Sequence, residues 1–263
     1  MQTLTEEPPR TQRRENYTPG YTQNAIAFMS GRTLDTHAEF VLPLLDRGLE
    51  VLDAGCGPGT ITQGIAQHVL PGRVTGLDLD PAQVARASRL AEGLEQTNVR
   101  FTTGNVYELP FADASFDLVF SHALFEHLSN PRSALAELRR VLRPGGLIAL
   151  CSPDWDAFEM QAPTPEAEEA IRTYRRLQER NGGNTRAGNH LETWLNETEF
   201  GILQRGESFD TYETPSRIAT YLALQLDAAG HPGAARALVD WSTEPGASLT
   251  GCWRYVVGIK WNR

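Results

Sequence analysis

Between residues 49 and 151, short apolar runs alternate with segments of helical pattern, and this rhythm limits the fold more than any other feature of the chain. Leu49–Ala54, Arg73–Asp78, Val99–Thr102, Phe116–Ser121 and Leu147–Cys151 read as five strands. The last is apolar throughout, as a strand covered on both faces must be. Helices are expected between them. Thr60 opens one, with Gln63 completing a capping box and Ile61, Ile65, Val69 and Leu70 as its apolar face. Asp80-Pro81 and Asn130-Pro131 each place a cap before a proline whose missing N–H costs nothing there. Leu135, Leu138, Val141 and Leu142 line the face of the helix that follows. Strand, helix, strand at this spacing predicts an α/β fold with a doubly wound, mostly parallel sheet.

The flanks divide around that core. Residues 1 to about 16 are polar, with Pro8-Pro9 and Arg10, Arg13 and Arg14, and are expected to be a disordered tail. Residues 17–263 are expected to form one domain. Within it, 17–47 reads as an N-terminal helical lid with a break at Gly31 and Thr33, and 48–152 as the core. Residues 153–200 read as a helical insertion forming a lid after the fifth strand, and 201–263 as C-terminal strands and helices. Acids and prolines stand where a secretory signal would need an apolar stretch. Cys56, Cys151 and Cys252 have no CxxC spacing and read as free thiols, so the expected compartment is the cytoplasm. No apolar run is long enough to span a bilayer. With 24 Lys and Arg against 33 Asp and Glu, the formal net charge of −9 argues against nucleic acid as a partner.

The chemistry concentrates where the first strand ends, at Asp53-Ala54-Gly55-Cys56-Gly57-Pro58-Gly59. Glycines there let a ligand lie against the main chain beside a helix N-terminus. Dinucleotide enzymes place GxGxxG at the same point, but the position three beyond Gly57 is Thr60, not glycine. Asp53 would repel a pyrophosphate and suits a ligand carrying a cationic amine. Asp78, closing the second strand, can accept both hydroxyls of a ribose, because Asp80 is the better helix cap.

Taken in order, the glycine loop, Gly76-Leu77-Asp78, Gly104-Asn105-Val106 with Leu109-Pro110-Phe111, Ser115–Val119 and Leu142-Arg143-Pro144-Gly145-Gly146 resemble class I S-adenosylmethionine-dependent methyltransferases. The likeness is greatest to the branch holding ubiquinone/menaquinone-type and small-molecule methyltransferases. It implies a seven-stranded sheet of order 3-2-1-4-5-7-6, with strand 7 (about 250–260) antiparallel. It also implies S-adenosylmethionine as cofactor, S-adenosylhomocysteine as product, and a small-molecule methyl acceptor. By the same resemblance Gly55, Cys56, Gly57 and Gly59 would cradle the methionine moiety, Asp78 the ribose and Leu79 the adenine face. Asn105 and Val106 would contact the adenine edge, where family members often carry Asp in place of Asn105. Ser121 and His122 would face the methionyl group. Arg32 would reach its carboxylate from the lid, with Tyr17 and Tyr21 as further lid contacts.

His122 and His127 leave the sheet at its carboxyl edge, and a histidine there could deprotonate or orient an acceptor. His122 is the expected catalytic residue; His127, further along, is expected to serve the loop. Five residues apart, they do not share a helical face as zinc-binding histidines do, and no metal set is expected. Trp155, Phe158, Trp194 and Tyr212 are candidates for an acceptor pocket or for core. Two alternatives stay open: a non-catalytic cofactor-binding module, and a nicotinamide-dependent oxidoreductase. The sequence leaves open the acceptor's identity, the methylated atom and the oligomeric state.

Overall fold

The computed structural model describes residues 16–261; the expected tail, Asn16 apart, lies outside them. The N-terminal segment forms α1 (Gln23–Met29) and α2 (Leu34–His37), broken between Ser30 and Thr33, then a 3₁₀ turn over Glu39–Leu44. The core follows as β1 (Glu50–Ala54), α3 (Thr60–His68), β2 (Arg73–Asp78), α4 (Pro81–Gly93), β3 (Val99–Thr103), β4 (Phe116–His122) and α5 (Pro131–Val141). Then come β5 (Leu142–Gln161), α6 (Pro165–Arg180), α7 (Ala187–Glu197), β6 (Phe200–Tyr212), α8 (Ser216–Ala228), α9 (Pro232–Trp241) and β7 (Ser248–Lys260). The seven strands are ordered β3-β2-β1-β4-β5-β7-β6. β1 through β5 run parallel, and β7 is antiparallel to both β5 and β6.

Alternation along the strands divides the core into two layers, because successive side chains point to opposite faces. Val51, Leu118, Phe120, Ala149 and Val257 pack with Ile65 and Ala66 of α3, with Val69 at its C-cap, and with Leu34 and Val41. Their neighbours Leu52, Val119, Ile148, Leu150 and Val256 pack on the other face with Leu135 and Leu138 of α5 and Leu191 and Leu195 of α7. A third cluster, built from α1, α6, α8 and α9, stands over the carboxyl edge of the sheet.

Three local expectations are corrected. Thr60 does not cap α3; Gly59 occupies the cap in the left-handed region, and the Thr60 hydroxyl donates to the Arg32 carbonyl at 2.6 Å. Leu70 falls beyond the helix and is 45% exposed, so the apolar face ends at Val69. The segment after Cys151 does not turn at once into helices. Residues 153–161 prolong β5, pairing Pro153 with Trp253 and Gln161 with Ser248 across a register shift. β4 ends at His122 opposite Cys151, so Pro153 lies where β5 has lost its β4 neighbour and its missing donor is harmless. Of the two helices that follow, α6 stands over the carboxyl edge and α7 covers the sheet.

Candidate active site

The glycine loop is fastened to the end of β2. Gly55 and Cys56 both donate their amides to the Leu77 carbonyl, at 2.8 and 3.0 Å. The Gly57 amide donates to Asp78 Oδ2 at 2.9 Å, and the Asp80 amide to Asp78 Oδ1 at 2.9 Å. Asp78 therefore holds the loop and the entry to α4 together, rather than standing free as the sequence suggested. An oxygen accepting one such bond retains capacity for another. Burial raises the Asp78 carboxyl above its ordinary value, against the pull of these amides.

Two of the glycines do different work. At Gly57 (φ +52°) nothing lies within 4 Å of where a Cβ would project. Gly59 (φ +83°) has the opposite surroundings: a Cβ would meet that of Ala87 at 2.7 Å. Gly59 is thus a packing glycine between α3 and α4, and it does not line the cleft.

Over the loop opens a cleft of about 1150 Å³, open solvent included. Asp53, Gly55, Cys56, Gly57 and Asp78 form its floor. Asp53 is buried, accepts from Thr62 Oγ1 at 2.6 Å, and is pushed up to about 7 by that burial. The Cys56 thiol is likewise pushed up by burial. Leu79 stands at the rim, 64% exposed. Asn105 and Val106 line one side. Asn105 Oδ1 accepts from the Tyr107 amide at 3.0 Å, so a turn fixes the side chain expected to contact the adenine edge. Ser121 is a correction. It is fully buried, donates to the Ala54 carbonyl at 2.8 Å and does not line the cleft; it ties β4 to β1.

Above the cleft, Tyr21 stacks on Tyr17 with centroids 5.1 Å apart. Its hydroxyl is pushed up to about 12 by burial and by Asp78 and Asp80. Arg32 lies over the Trp253 ring at 4.9 Å and the Phe28 ring at 5.7 Å, with no ion pair among the described residues.

A second cavity, of about 760 Å³ with open solvent included, adjoins the first and shares Tyr17, Met29, Arg32, Ala123 and His127 with it. Trp155, Phe158 and Tyr212 line it, as their residue types suggested. Trp194 does not; it packs against Phe125 and His190 in the core. Sequence reasoning missed Glu126, Asp210 and Trp253, all on this cavity's wall. Asp210 Oδ2 accepts from Trp253 Nε1 at 2.8 Å and lies 3.3 Å from His37 Nε2. These groups come from α2, β6 and β7, and no local spacing announces their meeting.

The two histidines separate differently than expected. His122 ends β4 and lines the first cleft but not the second cavity. Its ring stacks on Trp253 at 4.6 Å, and its Nε2 is buried with no hydrogen-bond partner among the described residues. Burial, with Arg32 and His37 nearby, holds it well below its ordinary value, so it is neutral near pH 7. His127 is the one on the shared wall, edge-on to Tyr17 at 4.7 Å, rather than a mere loop support. Burial lowers it to about 3. Among the described residues no cluster of three or more His, Cys, Asp or Glu could hold a metal ion.

Residues 52–150 match the family model described as a methyltransferase domain. An O-methyltransferase of Aspergillus nomiae is 32% identical over 63% of this chain and 70% of its own length. The chain belongs to the class I S-adenosylmethionine-dependent methyltransferase family. An uncharacterized methyltransferase of Schizosaccharomyces pombe is 33% identical to it over 64% of this chain and 63% of its own length. The crystal structure of a putative methyltransferase from Bacillus halodurans superposes with a TM-score of 0.62 at 20% identity. That superposition covers 84% of this methyltransferase and 99% of the other chain, and shows the fold alone. Against three of the curated relatives, the alignments span 35%, 63% and 50% of the relative's length.

Proposed function

We propose that this methyltransferase transfers a methyl group from S-adenosylmethionine to a small-molecule acceptor held in the aromatic cavity. The observation that carries this is the pair of cavities joined across one wall, with the glycine loop under the first and rings around the second. The donor fits the first cleft on its own chemistry. Gly57 leaves room for backbone approach, Asp53 is a buried acid suited to an ammonium, and Arg32 is a cation without an ion pair among the described residues. Asp78 would take the ribose hydroxyls, Leu79 and Val106 would flank the adenine, and Tyr21 would close over it. Asn105 would meet the adenine edge through its side-chain amide, whose oxygen already accepts from the Tyr107 amide and keeps a second lone pair. Bound there, the donor supplies an electrophilic methyl on sulfur. The protein's contribution is alignment and exclusion of water, worth about 7–11 kcal/mol in well-oriented intramolecular reactions. His122, neutral and with its Nε2 unpaired among the described residues, would orient the donor's reacting end.

Three free, buried thiols agree with a reducing compartment, and we place the protein in the cytoplasm. Among the described residues no helix is long and apolar enough to cross a membrane. The test is calorimetry with S-adenosylhomocysteine and with NAD, followed by a screen of metabolite pools for uptake of labelled methyl. Tighter binding of NAD would overturn the donor assignment. Binding of S-adenosylhomocysteine with no labelled product from any pool would favour a non-catalytic module.

A further inference from the structure

The second cavity holds three carboxylates, and two are already matched. Asp154 is paired with Arg254 at 2.8 Å. Asp210 is held by Trp253 and His37. Among the described residues Glu126 has no such partner: His127 Nε2 lies 3.7 Å from its Oε1, beyond hydrogen-bond reach. Among the same residues, its side-chain donor is Ser152, whose Oγ donates to Oε2 at 2.9 Å. The backbone around it is fixed, because the Glu126 carbonyl accepts from the Asn184 amide at 2.8 Å and Gln178 Nε2 at 3.3 Å. A buried carboxylate that no arginine or lysine pairs with among the described residues, on a rigid turn, at a cavity wall beside the shared boundary, is costly unless it has work to do.

We propose that Glu126 is the base that receives the proton of the acceptor's nucleophilic O–H or N–H, with Ser152 fixing the carboxylate. This rests on the methyltransferase reading above. The acceptor's lone pair forms the bond to the methyl carbon while the carbon–sulfur bond breaks, its electron pair staying on sulfur as the thioether. The proton given up by the acceptor passes to the Glu126 carboxylate and afterwards to water. Burial supports the role by pushing Glu126 up to about 7, so it can both accept and release a proton near neutrality. The groups facing it are Arg32, His127, Cys151 of β5, Tyr174 of α6, Tyr17 and Tyr221 of α8. Arg32 is the cation among them and draws Glu126 downward. The three hydroxyls and the thiol are raised and stay neutral, and His127 is neutral too.

The experiment follows the carboxyl resonances of ¹³C-labelled glutamate in the full chain saturated with S-adenosylhomocysteine, with Glu126→Gln assigning the signal. A Glu126 carboxyl that titrates between about pH 5 and 8 is expected, and Ser152→Ala should move that titration upward. A carboxyl that stays ionised or stays protonated across the range overturns the proposal. With labelled donor and a panel of hydroxyarenes and arylamines, Glu126→Gln should lower turnover by about 10²–10⁴-fold. It should also abolish the rise of rate with pH, while leaving S-adenosylhomocysteine affinity within about twofold. Unchanged turnover overturns the proposal. If the wild-type protein does not bind S-adenosylhomocysteine at all, it is the methyltransferase reading that fails, and this one with it.

Discussion

Asp53 shows how one buried carboxyl links stability to binding. In the fold it titrates near 7, well above an ordinary carboxylate, because burial outweighs the Thr62 hydrogen bond. Between about pH 4 and pH 7 the folded protein keeps a proton that the unfolded chain has released, so stability falls as pH rises through that window. Asp53→Asn should therefore raise the melting temperature at pH 8, with the gain vanishing near pH 4 and S-adenosylhomocysteine binding lost; thermal scans at the two pH values decide it. Asp78→Ala has a double cost. Losing a charge-assisted partner should weaken S-adenosylhomocysteine binding by about 1–3 kcal/mol in calorimetry. It should also lower the melting temperature, because the Gly57 and Asp80 amides lose their acceptor. An Asp78→Ala protein with wild-type affinity would make that residue a turn clamp only. Gly57 and Gly59, two residues apart, should part company as well. Gly59→Ala must push against Ala87 and is expected to unfold at lower temperature. Gly57→Ala meets open space and carries only the left-handed backbone strain that Gly59→Ala also carries, so its further loss should fall on donor affinity.

At the scale of elements, a strand was most legible where two-sided burial left an unbroken apolar run, as in Leu147–Cys151 of β5. Asp80 and Asn130 announced their helices because a side-chain cap is a local bond, to Ala82 and Ser133 respectively. The prolongation of β5 was hidden, since Ser152-Pro153-Asp154 carries turn residues that only an absent β4 neighbour makes acceptable in a strand. The glycine loop and Asp78 could be located by spacing, whereas Glu126, Asp210 and Trp253 could not. Their meeting depends on how the second sheet edge and the upper helices close over the first. The N-terminal segment belongs to that closure: Phe28 stacks on Tyr221 at 4.2 Å, and Arg217 donates to the Ala27 carbonyl at 2.8 Å. Hydrogen exchange over residues 17–37 should slow when S-adenosylhomocysteine is added, as expected of an element that gates a site. Equal exchange with and without it would count against a lid.

For the whole molecule, the parallel core supplies a rigid floor, while α1, α6 and α8 supply helical walls of the second cavity. The two cavities meet at Tyr17 and His127, whose rings touch edge to face. Two guests leaning on the same side chains cannot be independent in affinity. Whatever factor an acceptor adds to the grip on the donor, the donor must return to the acceptor, since the cycle of binding steps closes. Tyr17 thus works as a meter of occupancy: trimming it should shrink the advantage each ligand gives the other, even where neither ligand's solitary binding changes much.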